Sequence, residues 1–566
     1  MSKFSLYLIK PGFSIIPRFS IDNLNVVENN ESVFSRSIYF ENNPIIINYI
    51  ESIGFIPTQL FRAVAEDTAF VKYNEPHDPW WKTFWNISDE LNIQNVSAVV
   101  FKELDDRLFV FVHGFGRFLL NPYCLEYDFG LRTAVNLIDD SQLRTAGLFT
   151  PSEIGLRTIK QSGKHANINE YDINIYNTML KNIAGKVKNE YKDYFQTISG
   201  ADSITFSYSG NREGLFERSK DLYRTSKEKS YLNTGLYWID NFKPVRDFLK
   251  IAELDSLLLN AINSRSDDII IFFPEVLGSD KDIYFSYSGI KDRSRDKYFY
   301  PYLDTIQYYN LLDDKYCTSI QELLNQSIIA NDRENWVNIC NYTIYQCIYF
   351  ECKIKDIQYF IEGGTWYIVD NDFYNQIEIS FKELTDDKID FDFSFRRKLV
   401  TEAARHSHLN KEYIFNKQLT EHLCQYDKAI LLDSNTVSFH RNQIEICDVL
   451  YKSQRQTFLI HNKYKYGSSA LSHLFSQGNV SANCITDLNF RKLANDKINL
   501  TELKFSEDEK LDRENINIVY GIIGKPNKNE EISIPVFSKI NLKLFSDNLK
   551  ALGYTVKLVY FIDDCT

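Results

Sequence analysis

Between Ile444 and Ala482 the chain reads IEICDVLYKSQRQTFLIHNKYKYGSSALSHLFSQGNVSA, with charged and hydrogen-bonding residues set inside otherwise apolar patterns. Asp448, His461 and Lys463 are the residues there whose types could do chemistry together. A carboxylate can hold a hard cation, an imidazole titrates near neutral pH, and an ammonium stabilises negative charge on an attacking oxygen or a phosphate. One chemistry is hydrolysis assisted by Mg²⁺, with Asp448 as a ligand and Glu445 or Asp433 supplying a second carboxylate. Another is metal-free proton transfer by His461 beside Lys463, with His473 as a second proton carrier. A third reading has no chemistry: Asp448 caps a turn, His461 is hydrogen-bonded in a strand, Lys463 is solvated, and His473 pairs with Gln477.

The elements that position these groups follow from periodicity. IEICDVL and TFLIHNK read as two short strands joined by the turn-rich YKSQRQ. Strict alternation puts Asp448 on the face of Ile444 and Ile446, opposite Glu445, so a regular strand cannot aim both acids at one cation. A bulge must re-aim one of them, or the second ligand must come from Asp433. Gly467, Ser468 and Ser469 can cap a helix that carries Leu471, Leu474 and Phe475 on one side, with His473 and Gln477 one turn apart on another. Lys465, Ser468, Ser469 and His473 are the candidates for nucleic-acid contact.

At 566 residues, 44% of them hydrophobic, the chain is long enough for several cores. Its pattern predicts an α+β multidomain protein divided at 1–160 (α+β), 161–334 (mainly helical) and 335–566 (a mixed α/β sheet flanked by helices). SAVVFKEL and RLFVFVHGF, split by Asp105 and Asp106, predict a hairpin, and Gly363 and Gly364 predict another. Residues 140–165 lose periodicity and read as a connector, or as a basic contact loop through Arg144, Arg157, Lys160 and Lys164. NEYDINIYNTMLKNIAGKVK, REGLFERSKDLYRTSK and the FKPVRDFLKIAELDSLLLNAINSR run read as helices.

The formal charge of −12 argues against indiscriminate polyanion binding. Residues 391–500, however, carry fifteen Lys and Arg against ten Asp and Glu, which is compatible with local nucleic-acid contact. The nine cysteines form no CxxC pair and read as small buried hydrophobes or incidental thiols. The early apolar run lacks a signal-peptide plan, and no run approaches the roughly eighteen residues of a membrane helix, so a cytoplasmic protein without membrane contact is expected.

FLLNPYCLEYDFGLRTAVNLID, the IEICDVL to NVSA stretch and the late PVFSKINL segment resemble a sporadically distributed bacterial family of unknown function. Members lie in mobile-element or restriction-type gene neighbourhoods, so the resemblance implies a role in defence. The order Asp448, strand, Lys463 is in addition similar to the PD-(D/E)xK nuclease core, which implies a restriction-endonuclease-like fold, Mg²⁺ and phosphodiester cleavage of DNA or RNA. In that core Glu, Asp or Gln stands two residues before the lysine; this chain has His461 there, and Gln477 occupies a helix position that is often polar in such nucleases. The expected function is therefore action on foreign nucleic acid. The alternative is a non-catalytic nucleic-acid- or protein-binding component with a degenerate nuclease fold. A second copy of the chain or a defence-system protein is the expected assembly partner.

Overall fold

The computed structural model describes residues 2–10, 25–27, 68–73, 96–114, 116–120, 125–151, 155–277, 282–290, 299–313, 316–332, 337–386, 391, 411–464, 468–524 and 534–562. Contacts divide the chain into two compact units. One comprises 1–150, 155–352 and 359–368, the other 151–154, 353–358 and 369–566. The protein is α+β, with several sheets and helices in both units.

The first unit is built on a ten-stranded sheet in which every neighbouring pair is antiparallel. Ser2–Leu8 lies between Arg107–His113 and Ile204–Tyr208, so the N-terminal strand is central. The hairpin of Val96–Leu104 and Arg107–His113 forms as its alternation predicts. Asp105 and Asp106 both take positive φ (47° and 61°), the conformation that a tight two-residue turn requires. Helix Phe129–Leu137 packs its buried Phe129, Ala134 and Val135 on this sheet.

Two expectations in this unit are corrected. Residues 140–165 are not a connector: Ile138–Thr150 and Leu156–Ala166 are long paired strands. Leu156–Ala166 is the last strand of its sheet and has no buried residue, so its Lys, Gln, Ser and Gly content hides it from a hydrophobic period. NEYDINIYNTMLKNIAGKVK is not a helix either. It forms a 3-10 turn at Ile168–Tyr171 and the strand Met179–Val187, whose pairing on both sides overrides local helix propensity. The helices Arg212–Thr225 and Phe248–Asn263 match their 3.6-residue pattern, and Asn211 and Asp247 cap them through side-chain oxygens. A second, five-stranded sheet contains Ile357–Glu362 and Thr365–Val369, joined through Gly363 and Gly364 at φ 61° and 74°.

The second unit centres on a mixed sheet in the order Lys428–Leu431, Val449–Ser453, Gln456–Tyr464, Ile516–Gly524, Thr555–Ile562. The first two pairings are antiparallel and the last two parallel. Ile516–Gly524 is buried along almost its whole length, as a strand covered on both faces must be. One face packs Leu459, Tyr520 and Leu558 against Leu471, Leu474 and Phe475 of helix Ser468–Ile485 and Leu542 and Leu549 of helix Val536–Ala551. The other packs Ile460, Val519 and Phe561 against Phe415 and Leu419 of helix Lys411–Leu423. Gly478 lets the Ser468–Ile485 helix approach closely, since a Cβ there would stand 2.5 Å from the Tyr520 ring. No helix among the described residues is long and apolar enough to cross a membrane.

Candidate functional site

At one end of this mixed sheet the chain leaves Lys428–Leu431, enters Val449–Ser453 and leaves Gln456–Tyr464. Each of these segments delivers a polar residue to the same place. Asp433 follows the first, Asp448 precedes the second, and Asn462 and Lys463 end the third. Helix Ser468–Ile485 begins four residues beyond Tyr464. The carboxyl ends of parallel strands are where open α/β sheets leave room for ligands.

The stretch IEICDVL is not one strand. Asn442–Glu445 pairs with Thr436–Phe439 in a separate two-stranded ribbon, and Val449–Ser453 belongs to the main sheet. Ile446, Cys447 and Asp448 make the crossing between them, so strand parity does not separate Glu445 from Asp448. Carboxylate oxygens of Asp433, Glu445 and Asp448 all lie within 4.8 Å of one another. Glu445 and Asp448 therefore face the same place, and Asp433 stands with them.

Hydrogen bonds hold this arrangement from behind. The Asp448 N–H donates to the Ile460 carbonyl at 3.0 Å, and its own carbonyl accepts from the Leu432 N–H at 2.8 Å, which ties its backbone to strands on both sides. Its Oδ2 accepts the Asn462 N–H at 2.6 Å. The Asn462 side chain donates to Asn416 Oδ1 at 2.8 Å, and Asn416 donates to Asp433 Oδ2 at 2.7 Å. Ser434, at φ 64°, turns its N–H onto Glu445 Oε1 at 2.7 Å while its hydroxyl donates to Asp433 Oδ1 at 3.0 Å. Gln477 donates to Glu445 Oε2 at 3.1 Å. Gly521 makes space for the Asn462 amide: a Cβ there would meet Asn462 Oδ1 at 1.9 Å. That Oδ1 is buried without a hydrogen-bond partner among the described residues.

The electrostatics are those of crowded acids. Burial pushes the Asp448 carboxyl well above its ordinary value, and Glu445, Asp433 and Glu412 push it the same way against the Asn462 hydrogen bond. Burial raises Glu445 too, opposed by the Ser434 N–H. Lys463 Nζ is 2.7 Å from Glu412 Oε1, and both side chains are partly exposed. His461 is enclosed beside Tyr520, burial pulls its imidazole down to about 4, and its Nε2 has no hydrogen-bond partner among the described residues. His473 is exposed on its helix, and Gln477 bonds to Glu445. Burial, then Asp448 and Glu445, raise the Cys447 thiol far above its ordinary value, which makes it a poor nucleophile. Lys465 and the side chains of Ser468 and Ser469 lie outside the described residues.

Glu412, Asn416 and Asn462 were not among the residues singled out from the sequence. Asn462 was legible in principle, because it stands between His461 and Lys463 with its side chain on the opposite strand face. Asn416 and Glu412 lie on a helix 17 to 36 residues before the acids, and nothing in their spacing points to them.

A family model described as a family of unknown function, DUF6119, matches residues 4–562. The chain belongs to that family. The match spans both units and the whole of the acidic site, so the DUF6119 pattern is a property of the full two-unit chain. No curated protein and no solved structure matches it.

Proposed function

We propose that the second unit is a restriction-endonuclease-like domain that cleaves phosphodiester bonds of foreign DNA or RNA in the cytoplasm, as part of a defence system. The observation that carries this reading is the convergence of Asp433, Glu445 and Asp448 from three separate segments at the sheet end occupied by Lys463.

The residues fit a hard divalent cation such as Mg²⁺. All three donors are carboxylates, and an octahedral ion with bonds of about 2.1 Å wants ligand oxygens about 3 to 4.2 Å apart, a spacing the cluster reaches with small side-chain adjustments. Bound there, the ion would supply Lewis-acid polarisation of a phosphoryl oxygen and a more acidic water. Asp433 and Glu445 replace the ligand lost at His461. Asn462, Asn416, Ser434 and Gln477 orient the three carboxylates through their hydrogen bonds. Lys463 stabilises charge on the phosphate, with Glu412 holding its ammonium in place. The metal-free route through His461 has less support, because an imidazole closed off from solvent cannot exchange its proton with a substrate.

Purified protein is incubated with DNA and with RNA, in Mg²⁺, in Mn²⁺ and in EDTA, and Mn²⁺ binding is followed by electron paramagnetic resonance. Cleavage that needs the ion is expected, with Asp448→Ala lowering both cleavage and Mn²⁺ affinity by about a hundredfold or more. Equal inactivity of wild type and variant on every substrate, together with no Mn²⁺ binding, would leave the non-catalytic binding component as the better reading. Cleavage that persists in EDTA and is lost in His461→Ala would overturn the metal site.

A further inference from the structure

The first unit holds two adjoining cavities of about 290 and 350 Å³, with Tyr127, Asp128 and Pro244 forming part of the wall of each. Together they make a two-lobed cleft of the size that takes a small organic ligand. Its charge runs against that of the chain. Arg117, Arg132, Arg157 and Lys181 line the first lobe, and Lys10, Arg107, Lys227 and Arg246 the second. The carboxylates lining the two lobes, among the described residues, are Glu126, Asp128, Asp202 and Glu362. With Asp240 included, which takes Arg132 from behind at 2.6 Å, eight cations face five carboxylates on a protein of net charge −12.

The two lobes are built on one plan. In the first, buried Glu362 receives both Arg157 and Lys181, and Lys181 also donates to the Tyr367 hydroxyl at 3.0 Å. In the second, buried Glu126 receives Arg107 at 2.9 Å together with Arg246, which reaches Asp128 at 2.6 Å as well. Burial alone would raise the Glu362 carboxyl, yet Lys181 and Arg157 outweigh it and hold it below its ordinary value. Glu362, shared by Arg157 and Lys181, leaves the first fork one positive charge in excess, whereas Asp128 balances Arg246 in the second, where Lys10 and Lys227 make the lining positive; the ion pairs fix the geometry of both forks before any ligand arrives. The Arg157 Nε–H adds a buried donor without a hydrogen-bond partner among the described residues. The lining also carries aromatic and apolar groups: Tyr342 and Tyr367 in the first lobe, Val245 and Ile251 in the second, and Tyr127 and Pro244 in both.

We propose that this cleft binds a phosphorylated nucleoside, with its phosphates at the two cation forks and its base against the tyrosine wall. The preorganised forks and the lysines beside them match a polyphosphate, whose oxygens accept several charge-assisted hydrogen bonds, and the partly exposed Tyr127 and Tyr342 rings match a planar heterocycle, the Tyr367 ring being already stacked on Phe360. A bare polyanion would leave the aromatic wall unused, and an apolar ligand would leave the excess positive charge unpaired.

Isothermal titration of the full chain compares ATP and GTP with adenosine, tripolyphosphate and a short oligonucleotide. A nucleoside triphosphate is expected to bind more tightly than adenosine or tripolyphosphate. Arg246→Glu is expected to weaken it roughly tenfold to a hundredfold, the loss of one or two charge-assisted hydrogen bonds. Because Arg246 also pairs with Glu126 and Asp128, Lys227→Glu serves as the second variant. Lys227 is exposed, so this variant is expected to keep the wild-type circular dichroism and melting temperature while still losing affinity. Absence of binding by both nucleotides, equal binding of tripolyphosphate and ATP, preference for the oligonucleotide, or nucleotide affinity untouched by Lys227→Glu would each overturn the proposal.

Discussion

The cleft of the first unit and the sheet end of the second bury carboxylates under opposite electrostatic terms. In the cleft, Glu362 and Glu126 are each shared by two cations, and the surplus is positive. At the sheet end, Asp433, Glu445 and Asp448 crowd together while the nearby ammonium of Lys463 is held by a fourth acid, Glu412. Glu362 is consequently held ionised, whereas Asp448 is pushed towards its neutral form. The first arrangement is already complete as a set of ion pairs. The second is complete only when protons or a cation enter.

This contrast is broken most sharply at Glu362. Glu362→Gln leaves Arg157 and Lys181 facing each other with no carboxylate between them, and a loss of about 3 kcal/mol is expected in urea denaturation of the first unit's transition. A loss below about 1 kcal/mol would mean that solvent already screens the fork.

At Asp448 the expected sign reverses. Asp448→Asn keeps the shape and removes the disfavoured charge, so in EDTA at pH 8 it is expected to gain about 1 kcal/mol over wild type, while losing the stabilisation that Mn²⁺ gives. The pH dependence follows from the same shift. A carboxyl whose folded-state pKa lies above its ordinary 3.8 binds its proton more tightly when folded. Its contribution is therefore present at low pH and lost as pH rises from about 4 through the folded value. Melting in EDTA should show that decline, and Asp448→Asn should flatten it. A wild-type melting temperature that climbs across this window in EDTA would mean that Asp448 is ionised and paired, as Glu362 is.

The smallest effect is expected at Lys463. Lys463→Gln removes a partly exposed ion pair and should cost less than about 1 kcal/mol in stability. Cleavage should fall much further. Equal, small changes in both would reduce Lys463 to a partner of Glu412.

How much of this was legible without coordinates depended on where each residue's partners lie. The hairpin at Asp105 and Asp106, the turn at Gly363 and Gly364 and the helices at Arg212–Thr225 and Phe248–Asn263 form within their own sequence, so local period and turn chemistry announce them. Leu156–Ala166 and Met179–Val187 are strands only because of the neighbours they pair with, and their own text reads as connector and helix. The same division runs through the acidic site. Asp448, Glu445, Asp433 and Gln477 could be named from their types and positions, but alternation along IEICDVL argued that two of them point apart.

The sequence by itself determined an α+β chain with a strand, strand and helix unit near its C-terminus, and a small set of acids and a lysine attached to it. Side-chain type and period are local properties, and both can be read from the text. Only the tertiary structure decided that the chain crosses from a two-stranded ribbon to the main sheet between Glu445 and Asp448, which brings three carboxylates to one point and encloses His461. It alone also assembled the cationic cleft, because Glu362 meets Arg157 and Lys181 across some two hundred residues of chain. Burial and the distance between charges set which acids ionise, and both are created by packing that no short window of sequence contains.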